Sequence, residues 1–207
     1  MSSDAAPVPG VAPSEKPFSV PDNLAGFSVS SKAYLQRHPQ WQVLAVGALV
    51  FNADRLLLVQ RSATERAFPN LWEVPGGSVD PEDETILHAV GRELQEETGL
   101  HVIAINHEVG KGVEFRTGSG ERQASWLKLA FEVAVAEMDG GLGAKKEGGA
   151  AEAIPIRLDP IEHQNYLWVS EDEIKGGEIN GFRLEFMTTD QREMMLEGFR
   201  LRRERAW

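Results

Sequence analysis

Residues 77–100 read GSVDPEDETILHAVGRELQEETGL. The stretch holds seven acids (Asp80, Glu82, Asp83, Glu84, Glu93, Glu96, Glu97) and one base, Arg92, so more than half of the net charge of −11 sits in it. Acids crowd its start and Gly99 follows its end, which predicts a helix over 84–98. At about 100° per residue, Ile86, Val90, Glu93 and Glu97 share one stripe, with Glu96 on the same arc. The stripe is apolar for two turns and then acidic. A solvated charged face lies opposite the apolar one. Here the acids continue the apolar face, so they point at the protein body or the edge of a cleft. Like charges at this spacing repel, and Arg92 offsets only one of them. A hard divalent ion would supply the remaining positive charge, and Mg²⁺ suits a donor set made only of oxygens.

Working outward, Val43–Phe51 is a continuous apolar run, predicted as a strand buried on both faces. Asn52–Asp54 makes a turn into a second strand, Leu56–Val59, and Trp72–Val74 is a short third. After the acidic helix, Val102–Ile105 reads as a strand. Leu127, Leu129, Phe131, Val133 and Val135 alternate with Lys128, Ala130, Glu132 and Ala134, the pattern of a half-buried strand. Residues 137–153 form a glycine-rich loop, and Tyr166–Val169 a last strand. Ser170–Glu173 is a capping box opening a short helix, and Thr188 with Gln191 opens another that runs toward Arg203.

With those residues in view, Gly77, Glu84 and Arg92–Leu100 resemble the box of the Nudix hydrolase family, G-x5-E-x7-R-E-U-x-E-E-x-G-U with U apolar. Leu71-Trp72-Glu73-Val74-Pro75-Gly76-Gly77 upstream is also typical of it. One residue is extra: six, not five, separate Gly77 from Glu84. Register must hold within a helix while a loop absorbs an insertion at little cost, which assigns Glu84 to the box position and the insertion to Ser78–Asp83. The resemblance covers residues 41–175. It implies an α/β (α+β) fold, an α/β/α sandwich with a mixed β-sheet between helices. It also implies hydrolysis of a nucleoside diphosphate linked to another group, such as a dinucleoside polyphosphate, a nucleotide sugar or a nucleoside triphosphate. Glu93, Glu96 and Glu97, with the carbonyl of Gly76, would bind Mg²⁺ or Mn²⁺. Glu93 or a more distant Glu would activate water, Arg92 would hold Glu93 by an ion pair, and Glu84 would be structural. Residues 162–168 are similar to a segment of the family's diadenosine-polyphosphate hydrolases, in which an acid before the last strand approaches the metals. This makes Glu162 a further catalytic candidate and His163 a structural hydrogen-bonder.

The rest of the chain narrows the alternatives. No Cys is present, which excludes thiol catalysis, disulfides and Cys-ligated metals. The acidic balance argues against binding nucleic-acid polymers. No apolar run reaches bilayer length and the first 25 residues lack an apolar signal core, so neither membrane contact nor secretion is expected and a cytoplasmic protein is the default. The expected partner is a small nucleotide-type diphosphate; oligomeric state is open, with a homodimer among the expectations. Residues 1–22 carry Pro7, Pro9, Pro13, Pro17 and Pro21 and are predicted as a disordered arm. Residues 23–40 form an extension with a short helix capped by Ser30 or Ser31, and 41–207 the domain with its C-terminal helix. Residues 140–146, GGLGAKK, lack the ending of a phosphate loop. The Arg cluster at 200–205 is explained by a helix C-terminus. A calcium loop of the EF-hand type is absent. A non-catalytic nucleotide-binding module remains the rival to an enzyme, and loss of box carboxylates would favour it; none is lost.

Overall fold

The computed structural model describes residues 18–139 and 154–205. The arm up to residue 17, most of the loop expected at 137–153, and the GGLGAKK stretch lie outside them. The elements are α1 (Ser31–Arg37), β1 (Val43–Asn52), β2 (Arg55–Arg61), β3 (Trp72–Glu73) and α2 (Ile86–Thr98). Then come β4 (Val102–Glu108), β5 (Val113–Thr117), β6 (Ala124–Val135), α3 (Ala136–Asp139) and β7 (His163–Ser170). The chain continues through α4 (Glu171–Gly176), β8 (Glu178–Ile179), β9 (Phe182–Arg183) and α5 (Thr189–Arg205).

Strands β3-β2-β1-β6-β4 lie side by side, β5 extends from β6, and β7 pairs with β2. β1 and β6 run parallel and the other pairs antiparallel, which makes the expected mixed sheet. Each face has its own core. Leu44, Val46, Ala48 and Val50 of β1 and Leu127, Leu129 and Phe131 of β6 meet Ile86, Leu87, Val90 and Leu94 of α2. On the other face, Leu49, Phe51, Leu56 and Leu58 meet Met194, Met195 and Phe199 of α5. β1 is therefore buried on both faces, as its unbroken apolar run requires. Among the described residues, no helix is long and apolar enough to cross a membrane.

Four expectations change. α2 starts at Ile86 rather than Glu84, because the Thr85 hydroxyl accepts from the His88 amide and caps it. β6 is buried on both faces, because β1, β4 and β5 flank it and α5 covers its second face; Lys128 and Glu132 are buried as ion pairs. Residues 18–22, assigned to the disordered arm, pack on the domain. Phe18 buries its ring beside His88, and Ser19 bridges Ala104 at the free edge of β4, where unpaired backbone groups need partners. β5 and the β8–β9 hairpin had no counterpart in the sequence reading; Asn180 and Gly181 turn the hairpin with positive φ. The capping boxes fare differently. Ser170 and Glu173 complete theirs, whereas only the amide-to-Thr188 half is seen at α5.

Candidate active site

β1 and β2 are paired only at Phe51↔Leu56 and Asn52↔Arg55. Beyond that point β1 takes residues 75–79 as its neighbour: Pro75 and Gly77 accept from the Ala48 and Val46 amides, and Val79 donates to Leu44. β2 pairs instead with β3 and β7. The sheet thus splits, and the candidate residues line the split.

One lip is built by two glycines and α2. Gly76 has φ +147°, and a Cβ there would stand 2.1 Å from the Val46 carbonyl oxygen, so only glycine fits. Its amide donates to Glu97 Oε2 at 2.7 Å. A Cβ on Gly77 would stand 2.6 Å from a Glu93 carboxylate oxygen, so Glu93 lies flat against this glycine. Glu93 and Glu97 are both buried, at 9% and 3% exposed, as a stripe continuous with Ile86 and Val90 demands. Burial pushes Glu97 well above the ordinary carboxylate range, and Glu73 and Glu93 add to this. Burial, with Glu96 and Glu162 nearby, pushes Glu93 up to about 7 against the pull of Arg92.

Arg92 gathers the acids of the box. It reaches Glu93 and Glu96 at 2.9 Å each, Asp83 through two hydrogen bonds of 2.9 Å, and the Ser78 carbonyl at 3.0 Å. The arginine-facing position before the helix therefore belongs to Asp83, not Glu84. The Glu84 side chain is 74% exposed and stands 3.7 Å from His88, away from Arg92. The physical reason is the path of the loop: the Asp80 amide donates to Asp83, which turns that carboxylate inward. Glu96 is exposed and shares the Arg92 Nη1 donor with Glu93.

The other lip is the start of β7. Glu162 is held by its carbonyl, which accepts from the Ser62 amide at 2.7 Å. Burial and Asp159 raise its carboxyl above the usual value. One ligand atom each from Glu97, Glu162 and His163 lie within 4.8 Å of one another, so the two lips meet here. The structure brings Glu162 to Glu97 across 65 residues of sequence. His163 is 1% exposed and, among the described residues, neither ring nitrogen has a hydrogen-bond partner, which overturns its expected role; Nδ1 stands 4.0 Å from Glu97 Oε1. Beneath the split lie three charges the sequence reading did not select. Glu73 is buried between Arg61 at 2.8 Å and Lys128 at 3.0 Å. Burial alone would raise its carboxyl, but the two cations hold it below the ordinary range.

The residues fit a hard divalent ion. Glu93 and Glu97 are buried carboxylates that burial disfavours as anions, and a divalent cation held by oxygen donors at that point would offset the cost.

Comparisons with known proteins give the family. The model of the NUDIX domain matches residues 41–189, and the chain belongs to that family. A MutT protein from Methanosarcina mazei Go1 superposes with a TM-score of 0.53 at 26% identity, covering 78% of this chain and 95% of that one. The m7GpppN-mRNA hydrolase NUDT17 of Danio rerio is 47% identical over 60 residues, 28% of this chain and 20% of that protein. The human 8-oxo-dGDP phosphatase NUDT18 is 32% identical over 126 residues, 61% of this chain and 34% of that protein. The chain thus spans a fifth to a third of the length of these curated relatives.

Proposed function

We propose that this chain is a divalent-metal-dependent pyrophosphohydrolase acting on a nucleoside diphosphate linked to another group. The observation that carries the reading is the meeting of Glu97, Glu162 and His163 across the split, beside the Glu93–Arg92 pair. Glu97 and Glu93 would hold Mg²⁺ or Mn²⁺, together with the Gly76 carbonyl, which lies outside the β1 ladder. Glu96 would be a further ligand. A bound ion supplies charge neutralisation at the diphosphate and acidifies water. An acidic protein otherwise repels such a substrate.

The chain's own residues do the rest. Glu162, on the opposite lip and open to solvent, orients the attacking water and takes its proton. Arg92 keeps Glu93 in place and is itself fixed by Asp83. Water adds to one phosphorus, the bond to the bridging oxygen breaks, and two phosphate products leave. The names of the relatives, m7GpppN-mRNA hydrolase and 8-oxo-dGDP phosphatase, both specify a nucleoside on a phosphoanhydride chain. That supports a nucleotide rather than an inorganic pyrophosphate. The rival, a binding module without catalysis, lacks support in the box, which keeps every carboxylate.

The test is product release from a panel of dinucleoside polyphosphates, nucleotide sugars and nucleoside triphosphates. Hydrolysis with Mg²⁺ that stops in EDTA and returns with Mn²⁺ is expected. Full activity in excess EDTA, or tight nucleotide binding without turnover, overturns it.

A further inference from the structure

We infer that Lys128 is a positioning residue for this centre: it crosses over β1 to tie the two lips of the split at Glu73. The inference rests on the metal-dependent reading above and adds a residue from outside the Nudix box.

Lys128 lies on β6, on the far side of β1 from Glu73, and is paired in register with Ala45. To reach Glu73, its stem passes above β1 at Gly47. A Cβ on Gly47 would stand 3.2 Å from Lys128 Cε and 3.0 Å from a Val74 methyl. Glycine inside a central strand weakens it and marks a close approach. Here it opens the path for the lysine. At the end of that path Nζ meets Glu73 Oε2 at 3.0 Å, while Arg61 of β2 takes Oε1 at 2.8 Å.

The location gives the tie its meaning. Past Phe51↔Leu56, β1 and β2 no longer pair. The β1 side carries Gly76, and with α2 it carries Glu93 and Glu97. The β2 side carries β7, with His163 opposite Arg61. Lys128–Glu73–Arg61 is a charged bridge between the two sides, with Glu73 and Lys128 near enough to act on the Glu97 carboxyl and Arg61 on that of Glu162. Burying a lysine and a glutamate is not the cheapest way to fill a core, since apolar residues of the same volume do as well or better. A bridge that fixes the width of the split accounts for both the buried pair and the glycine. Partners behind metal ligands act in this way, and losing them weakens metal binding by about 10–100-fold.

The test is Mn²⁺ titration of the whole chain without substrate, read from the EPR signal of free Mn²⁺. Melting in EDTA is recorded separately. Lys128→Met is expected to raise the Mn²⁺ dissociation constant about tenfold or more, and Lys128→Arg to recover most of it. Gly47→Ala retains every charge but crowds the Val74 methyl and the lysine stem that pass over it; it is expected to raise the constant about threefold. It decides the matter if Lys128→Met does not fold. In turnover, kcat falls more than KM changes. A lysine that merely stabilises the fold lowers the melting temperature and leaves the folded protein's Mn²⁺ affinity within twofold. That result, or Lys128→Arg no better than Lys128→Met, overturns the inference while the metal reading stands. Wild-type protein that binds no Mn²⁺ overturns both.

Discussion

Strand β6 buries two charges on one face, four residues apart, and surrounds them differently. Lys128, 4% exposed, reaches Glu73 at the end of the molecule where the sheet splits. Glu132, 5% exposed, lies under the C-terminal helix. Its Oε1 accepts from Arg202 at 2.6 Å, and its Oε2 stands 3.2 Å from His107 Nε2. Arg202 also stacks on Phe51, 4.6 Å from the ring centroid, and Arg205 contacts His107. The first charge joins two parts of the sheet around a site full of carboxylates. The second seats a helix on the sheet. The contrast shows that burial of a charge does not by itself mark a functional site; what lies around the partner does. The experiments below separate the two ends.

The largest effect belongs to the site end. Glu97→Gln retains shape and removes one ligand charge, so kcat should fall about 10²–10³-fold, or about 3–4 kcal/mol of transition-state stabilisation. The same variant in EDTA should melt at or above the wild-type temperature, because a carboxylate pushed up by burial is costly to keep ionised. Loss of activity together with loss of stability would merge the two ends into one structural cluster.

At the helix end the pattern reverses. Glu132→Gln leaves Arg202 without its anion. Because Arg202 is partly exposed, the expected cost is about 2 kcal/mol, or about 4–8 °C in melting temperature for a chain of this size. Turnover of the folded enzyme should stay within about twofold of wild type. A drop in kcat as large as that of Glu97→Gln breaks the distinction.

Much of the site end was legible and little of the helix end was. Helical periodicity alone placed Glu93 and Glu97 inward, because a stripe that begins with Ile86 and Val90 has only one face to bury. Glu162 was reachable through the resemblance of residues 162–168 to a family segment, together with its place before a strand. Asp83 was missed because its role depends on a hydrogen bond across a turn, and counting back from Arg92 selected Glu84 instead. Lys128 and Glu132 both read as the outer face of an alternating strand. Their burial depends on Glu73 and α5, which are distant in sequence. One local signal was present: Gly47, in the middle of an apolar run, asks what passes over it.

Glu162→Gln sharpens the site end further. It removes a proton acceptor on the lip opposite Glu97, so kcat should fall about tenfold, or ~1.4 kcal/mol, with KM nearly unchanged. Wild-type kcat in this variant would move the search to Glu114 or to Glu147 and Glu152, the latter two outside the described residues.

The smallest effect concerns pH, and the two ends should respond in opposite senses. Burial, with Arg205 and Arg202 adding to it, pushes the His107 imidazole down to about 4. A histidine whose folded pKa lies below its unfolded value stabilises the native state above about pH 6.5, and that contribution is lost as pH falls toward 4. Glu93, pushed up to about 7, contributes stability below pH 4.5 that is lost as pH rises through 7. Wild-type melting against pH mixes the two, so the informative quantity is the difference between wild type and His107→Gln in EDTA. Between pH 7 and pH 4.5 the wild type should lose more stability than the variant. Solvent screening at the helix end reduces the gap to about 1 kcal/mol, or about 2–4 °C. Parallel curves would show that His107 does not titrate with unfolding. Glu132 and Arg202 would then hold the helix without it.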